Sequence, residues 1–169
     1  MILVRPAGAP DVPALHALGV RTWRATYEGV LPQAVVEQGV AELFNAYSLG
    51  AAVEQGRMLA AFRDGVLVGL LELDRVDAAR TMVWKLYVDP GAQRRGIGGL
   101  LLERLLRTAG TAEVGVEHDA RNVAAAAFFD GFGFAVEEVA DGAAGARTVR
   151  RVRRLSRRGA PRRSRAGRR

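Results

Sequence analysis

A short glycine-rich stretch, Gln93-Arg94-Arg95-Gly96-Ile97-Gly98-Gly99, constrains this chain more than any other feature. A β-like run, Val83 to Val88, precedes it and stops at Asp89-Pro90. An apolar helical run, Leu100 to Arg107, follows it. Glycines at 96 and 98 remove Cβ atoms where a ligand would approach the backbone. The helix starting near Gly98 has unpaired N–H groups and the positive end of its dipole facing the loop. Together these make a seat for a pyrophosphate-type anion. Taken alone, the residues also fit a plain glycine turn between strand and helix. They do not fit a P-loop, which requires Gly-Lys-Ser/Thr. They do not fit a dinucleotide G-x-G-x-x-G either, because position 101 is Leu.

The rest of the chain arranges itself around that loop. Ile2 to Arg5 reads as a strand closed by Pro6. Asp11 and Pro13 then open a helix to about Glu28, with Leu15, Leu18, Thr22, Trp23 and Tyr27 at helical spacing. Pro32 opens a second helix whose apolar stripe runs through Val35, Val36, Val40, Leu43, Phe44 and Tyr47. Met58–Phe62 and Val66–Leu71 flank Asp64-Gly65, a hairpin signal. After the glycine loop and its helix come a strand over 112–116 and an Ala-rich helix over 122–129. Strands over 134–139 and 148–152 close the chain around a Gly/Ala turn at 142–146. The order β-α-α-β-β-β-α-β-α-β-β predicts an α/β (α+β) domain over residues 1–155.

Charge divides the chain in two. Residues 147–169 hold 12 arginines and no acid, while the preceding residues carry 13 basic groups against all 18 acids. A basic appendage therefore follows a mildly acidic body. Lys85 is the one lysine among 25 basic residues, which points to a GC-rich coding bias as much as to selection for arginine. From Ser156 onward only Arg, Ser, Gly, Ala and Pro remain, so 156–169 is expected to be a disordered tail. Such a tail is either a solvated extension or a weak contact for polyanions such as nucleic acid, without aromatics to stack on bases. No cysteine is present, which excludes thiol catalysis. The two histidines, His16 and His118, are too few and too far apart to suggest a metal site, and no metal is expected. Neither a membrane-length apolar run nor a signal-peptide pattern is seen, so a cytoplasmic location is the expectation.

A second motif follows the strand over 112–116: Glu117-His118-Asp119-Ala120-Arg121-Asn122, then Ala125, Phe128-Phe129 and Gly133-Phe134. Preceded by Val88-Asp89-Pro90 and the glycine loop, it resembles the GNAT superfamily of N-acetyltransferases. The likeness is sharpest over 84–134. It extends more loosely from Leu3 to Leu155, including Trp23, Tyr27 and Leu31-Pro32. The resemblance implies a mixed central sheet of about six or seven strands whose middle strands splay apart, flanked by about four helices. It implies acetyl-CoA as cosubstrate and an amine of a small molecule or peptide as acceptor. The backbone of Leu86, Tyr87 and Val88 would pair with the pantetheine arm, and the amides of Arg94, Arg95, Gly96, Ile97, Gly98 and Gly99 would hold the pyrophosphate. Asn122 would bond the pantetheine or acetyl region, cap its helix, or do both.

Acyl transfer from a thioester to an amine needs a base for the amine, an acid for the thiolate, and an N–H donor for the oxyanion. The resemblance assigns the N–H to Val88. Glu117 is the first candidate base, with a solvated strand-end glutamate as the plain alternative; Glu72 and Asp74 come after it. His118 is expected on the opposite face of the strand. The acid position of the family falls at Phe129, which has no hydroxyl, so water, Tyr87 or Tyr27 is left to serve. Trp23, Tyr27, Trp84 and the 141–147 turn are candidates for the acceptor site; an aromatic stripe at helical spacing is also ordinary core. The missing hydroxyl keeps a second class open, a catalytically weak CoA-binding module. The oligomeric expectation is a monomer or homodimer.

Overall fold

Asp64 and Gly65 turn the chain back on itself with φ of 52° and 83°, both positive as a two-residue hairpin turn requires. They join strands β2 (Met58–Arg63) and β3 (Val66–Arg75). The computed structural model describes residues 1–141 and 147–155. The remaining strands are β1 (Ile2–Pro6), β4 (Arg80–Val88), β5 (Glu113–Asp119), β6 (Ala135–Asp141) and β7 (Arg147–Arg154). They form one seven-stranded sheet in the order β1-β2-β3-β4-β5-β7-β6, the mixed sheet expected from the sequence. Only the central pair, β4 with β5, is parallel. The turn at 142–146 and the tail at 156–169 lie outside the described residues.

Helices cover both faces. On one side, helix α1 (Val12–Tyr27) and helix α3 (Ala46–Glu54) bury Leu15, Leu18, Leu49 and Ala52 against Ala60 and Leu70 of the sheet. Helix α2 (Gln33–Leu43) packs against α1. On the other side, helix α4 (Ile97–Thr108) and helix α5 (Val123–Gly131) enclose Val83, Val114, Val116, Phe129 and Phe134. Ile97, Leu101, Leu102 and Leu105 of α4 are no more than 1 % exposed, and each contributes roughly 1.5–3 kcal/mol by burial.

Two local expectations change. The second helix is not continuous to Tyr47. Asn45 closes α2 by donating to the carbonyls of Ala41 and Glu42, and opens α3 by accepting from Ser48 N–H at 2.9 Å. Tyr47 consequently projects into solvent at 88 % exposure. Asp11 stands at the start of α1, but its carboxylate does not cap the helix. It is held instead by Arg5 at 2.7 Å and by Gly8 N–H at 2.8 Å. The Arg5 guanidinium keeps the Asp11 carboxyl below the usual range.

Candidate active site

The parallel pairing of β4 and β5 covers only Arg80–Val83 against Glu113–Val116. Both strands continue beyond that point. β4 stays on β3 as far as Gly69↔Val88, and β5 stays on β7 as far as Asp119↔Thr148. The middle of the sheet therefore splays open between Trp84–Val88 and Glu117–Asp119. The split begins at a bulge: Glu72 pairs with Lys85 and Leu73 with Val83, so Trp84 is the extra residue. Asp89 N–H donates to Val68 at 2.9 Å, toward β3. Backbone groups alternate in direction along a strand, so those of Val88 and Leu86 point the other way, into the splay. A chain laid there would find a row of donors and acceptors like a strand edge.

The glycine loop lies at the open end of that gap. Asp89 bends the chain after Val88 by accepting from Gly91 N–H at 3.0 Å, and Gln93 Nε2 donates to the Val88 carbonyl at 3.1 Å. Arg94 and Gly96 both take left-handed backbone conformations, with φ of 58° and 78°. This is a strained choice for Arg94 and an easy one for Gly96. Gly96 is the N-cap residue of α4, with no side chain to satisfy the first amides of the helix. Among the described residues, neither Arg94 nor Arg95 has an acidic partner, and both are exposed beside those amides. The geometry suits a polyanion: free N–H groups, a helix dipole and two unpaired cations.

Asn122 is the N-cap of α5 and accepts from Ala125 N–H at 3.0 Å, so the capping role is filled. Tyr27, at the end of α1, is buried, and that burial pushes its phenol up. The Tyr27 ring is 4.4 Å from that of Trp23, which is in turn 6.5 Å from Tyr87 on β4. Trp23 is anchored to α2 by its own N–H, donated to Val36 at 2.9 Å. Of the three aromatic acceptor candidates, Trp23 and Tyr27 thus belong to a packed cluster, and Trp84 stands 47 % exposed.

Glu117 and Trp84 meet in a concavity of about 370 Å³ on the α1-facing side of the splay, with Arg80, Met82, Glu113 and Arg150. Arg150, directly across on β7, contacts Glu117 Oε1 with both Nε and Nη2. Sequence reasoning missed this partner, which the β5–β7 register alone supplies. It also missed Arg21, whose guanidinium bonds Asp89 at 2.7 Å and ties α1 to the loop while holding the Asp89 carboxyl low. Glu72 is not placed as a free base. It is 6 % exposed and held between Lys85 and Arg57. A larger depression of about 1230 Å³, lined by Arg107, Phe132 and Leu155, contains none of the candidate residues.

His118 lies on the face opposite Glu117, as strand alternation requires. Arg151 donates to its Nε2 at 3.0 Å, so the ring proton is on Nδ1, toward the Asp119 carbonyl. Phe129 stacks on His118 with ring centroids 6.3 Å apart and meets Phe134 edge-on at 5.5 Å, with 4 % exposure. It is a core residue of the α4/α5 face. Among the described residues, no cluster of His, Asp and Glu could hold a metal, and no helix is long and apolar enough to cross a membrane.

The acetyltransferase (GNAT) family profile matches residues 20–134. A spermidine N(1)-acetyltransferase of Thermoplasma acidophilum is 25% identical over 146 residues, 81% of this chain and 90% of that protein. A probable N-acetyltransferase of Mycobacterium tuberculosis is 28% identical over 134 residues, 76% of this chain and 77% of that one. The crystal structure of a PaiA N-acetyltransferase from Thermoplasma acidophilum, solved with coenzyme A, superimposes with a TM-score of 0.77 at 23% identity. That match covers 89% of this chain and 98% of the other.

Proposed function

The chain belongs to the acetyltransferase (GNAT) family, and we propose that it transfers the acetyl group of acetyl-CoA to a primary amine of a small molecule or peptide. The observation that carries this reading is the splay. β4–β5 pairing stops at Val83 and Val116, next to a helix N-terminus lined by glycine, while Leu86 and Val88 turn their backbone groups into the gap. That gap fits an extended pantetheine arm, and the loop of Arg94 to Gly99 fits its pyrophosphate.

In this reading the Val88 N–H donates to the thioester oxygen as charge develops on it. Asn122 orients the pantetheine end of the arm while its carbonyl oxygen still caps α5. Glu117 takes the proton of the attacking amine through Oε2, since Arg150 occupies Oε1. Trp84 forms the apolar rim of the acceptor concavity. A polyamine heads the acceptors to try, because one relative is named for spermidine.

The test is thiol release from acetyl-CoA across polyamines, amino acids and peptides with free N-termini, read together with calorimetric acetyl-CoA binding. Amine-dependent release of the thiol supports the assignment. Absence of acetyl-CoA binding by the folded protein overturns it.

A further inference from the structure

Strand pairing puts Asp74 on the same face of the sheet as the acceptor concavity. Asp74 pairs with Met82 across β3 and β4, and Met82 pairs with Gly115 on β5. Directly paired residues share a face, and Met82 lines the concavity. Asp74 is half-buried, and among the described residues its carboxylate joins no ion pair and no side-chain hydrogen bond. Trp84, two positions along β4 from Met82, stands out of the ladder at the bulge with half of its surface exposed. The cations of this wall are already engaged. Arg80 donates to Glu137 through Nη1 and Nη2 and to Glu113 through Nη2. Arg150 donates to Glu117 through Nε and to Glu138 through Nη1. Asp77, on the same wall, uses Oδ1 to accept from the amides of Ala79 and Arg80. The wall thus offers an acceptor the Glu117 and Asp74 carboxylates and one π face, and no uncommitted guanidinium.

We propose that the acceptor is a diamine or polyamine without a carboxylate, and that Trp84 and Asp74 select it by holding its second ammonium while Glu117 faces the reacting amine. This rests on the acyl-transfer reading above and narrows its acceptor class. An ammonium over the Trp84 ring gains cation–π attraction, and Asp74 supplies the opposite charge at the same face. A monoamine lacks the group that these two residues hold. An amino acid brings a carboxylate to a wall where Asp77, Glu113 and Glu117 face only the two engaged arginines, and like charge repels it. Trp84 and Asp74 are specificity-determining residues in this scheme and take no proton.

Pentylamine, cadaverine and lysine share one carbon chain and differ by an added amino group and then an added carboxylate. Measured by thiol release from acetyl-CoA, kcat/KM should be about tenfold higher for cadaverine than for pentylamine, and lysine should fall below both. Asp74→Asn and Trp84→Leu should each lower the cadaverine-to-pentylamine ratio by about threefold or more. A merely structural role would slow both amines alike and leave the ratio where it was. Thermal unfolding checks that the variants are folded, and Asp74→Asn carries the test alone if Trp84→Leu is not. Three results would overturn the selection: equal kcat/KM for cadaverine and pentylamine in the parent, lysine turned over as well as cadaverine, or a ratio indifferent to Asp74→Asn. Release with none of the three amines from a protein that binds acetyl-CoA overturns it as well. A folded parent that fails to bind acetyl-CoA would sink the acyl-transfer reading itself, and the selection with it.

Discussion

Arg150 contacts Glu117 through one oxygen only. Both Nε and Nη2 of the guanidinium lie 2.7 Å from Oε1. Among the described residues, Oε2 has no hydrogen-bond partner, and Glu117 lines the concavity that Trp84 rims. One carboxylate thus combines a fixed orientation with a free acceptor atom. Arg150 also bonds Glu138 at 2.7 Å on the neighbouring strand, so the guanidinium is held from two sides.

Glu117→Gln keeps the shape and an acceptor for Arg150 but removes the base. Turnover should drop by ~10²-fold at neutral pH and recover in part at higher pH, where more of the amine is already unprotonated. The check is kcat against pH from acid to alkaline buffers. An unchanged profile would take the base role from Glu117.

Gly98 offers a cleaner test of the glycine loop than Gly96. A Cβ at 98 would sit 3.5 Å from the Phe128 ring and 3.6 Å from Val88, ordinary contacts, whereas Gly96 has a φ of 78° that a side chain resists. Gly98→Ala should therefore fold with a Tm near that of the parent. It should still weaken acetyl-CoA binding at least tenfold, ~1.4 kcal/mol, because the methyl group narrows the approach to the first amides of α4. Calorimetric titration of the folded variant decides it.

Much of this was readable locally. Asp64-Gly65 encodes its own turn, Val88-Asp89-Pro90 its own strand end, and Asn122 its own helix cap, because each depends on residues a few positions away. The break at Asn45 was hidden, since Leu43, Phe44 and Tyr47 continue an apolar rhythm across it while the cap rests on one side chain. The partner of Glu117 lies 33 residues along the chain and follows only from the pairing register of β5 with β7. The bulge at Trp84 leaves no mark in composition. Tyr27, read as either core stripe or acceptor wall, packs in the aromatic cluster with its ring 4.4 Å from that of Trp23.

Phe129→Tyr bears on the same chemistry from the other side. With 4 % exposure among Phe128, Phe134 and His118, a hydroxyl at 129 has no evident partner, and stability should fall by about 1–3 kcal/mol. Turnover should not rise. Thermal unfolding and the thiol-release rate measure the two effects. A gain in rate would give the proton-donor role to position 129.

Asp89 links α1 to the loop electrostatically, and the sign of its pH effect follows from Arg21. The guanidinium lowers the carboxyl pKa in the folded protein, so the ionised form is favoured by folding. The stabilisation is complete above the unfolded value of about 3.9 and disappears as pH falls through the lower folded value. Asp89→Asn keeps an oxygen for Gly91 N–H but loses the charge. At neutral pH the variant should be less stable by ~0.2–1 kcal/mol, the range of partly exposed ion pairs. The gap should hold down to about pH 5 and then close as the pH drops further, since the parent carboxylate becomes neutral too. Urea unfolding of both proteins at a series of pH values measures it. A gap that persists unchanged in strong acid would mean that Asp89 stabilises the loop through its turn geometry and not through Arg21.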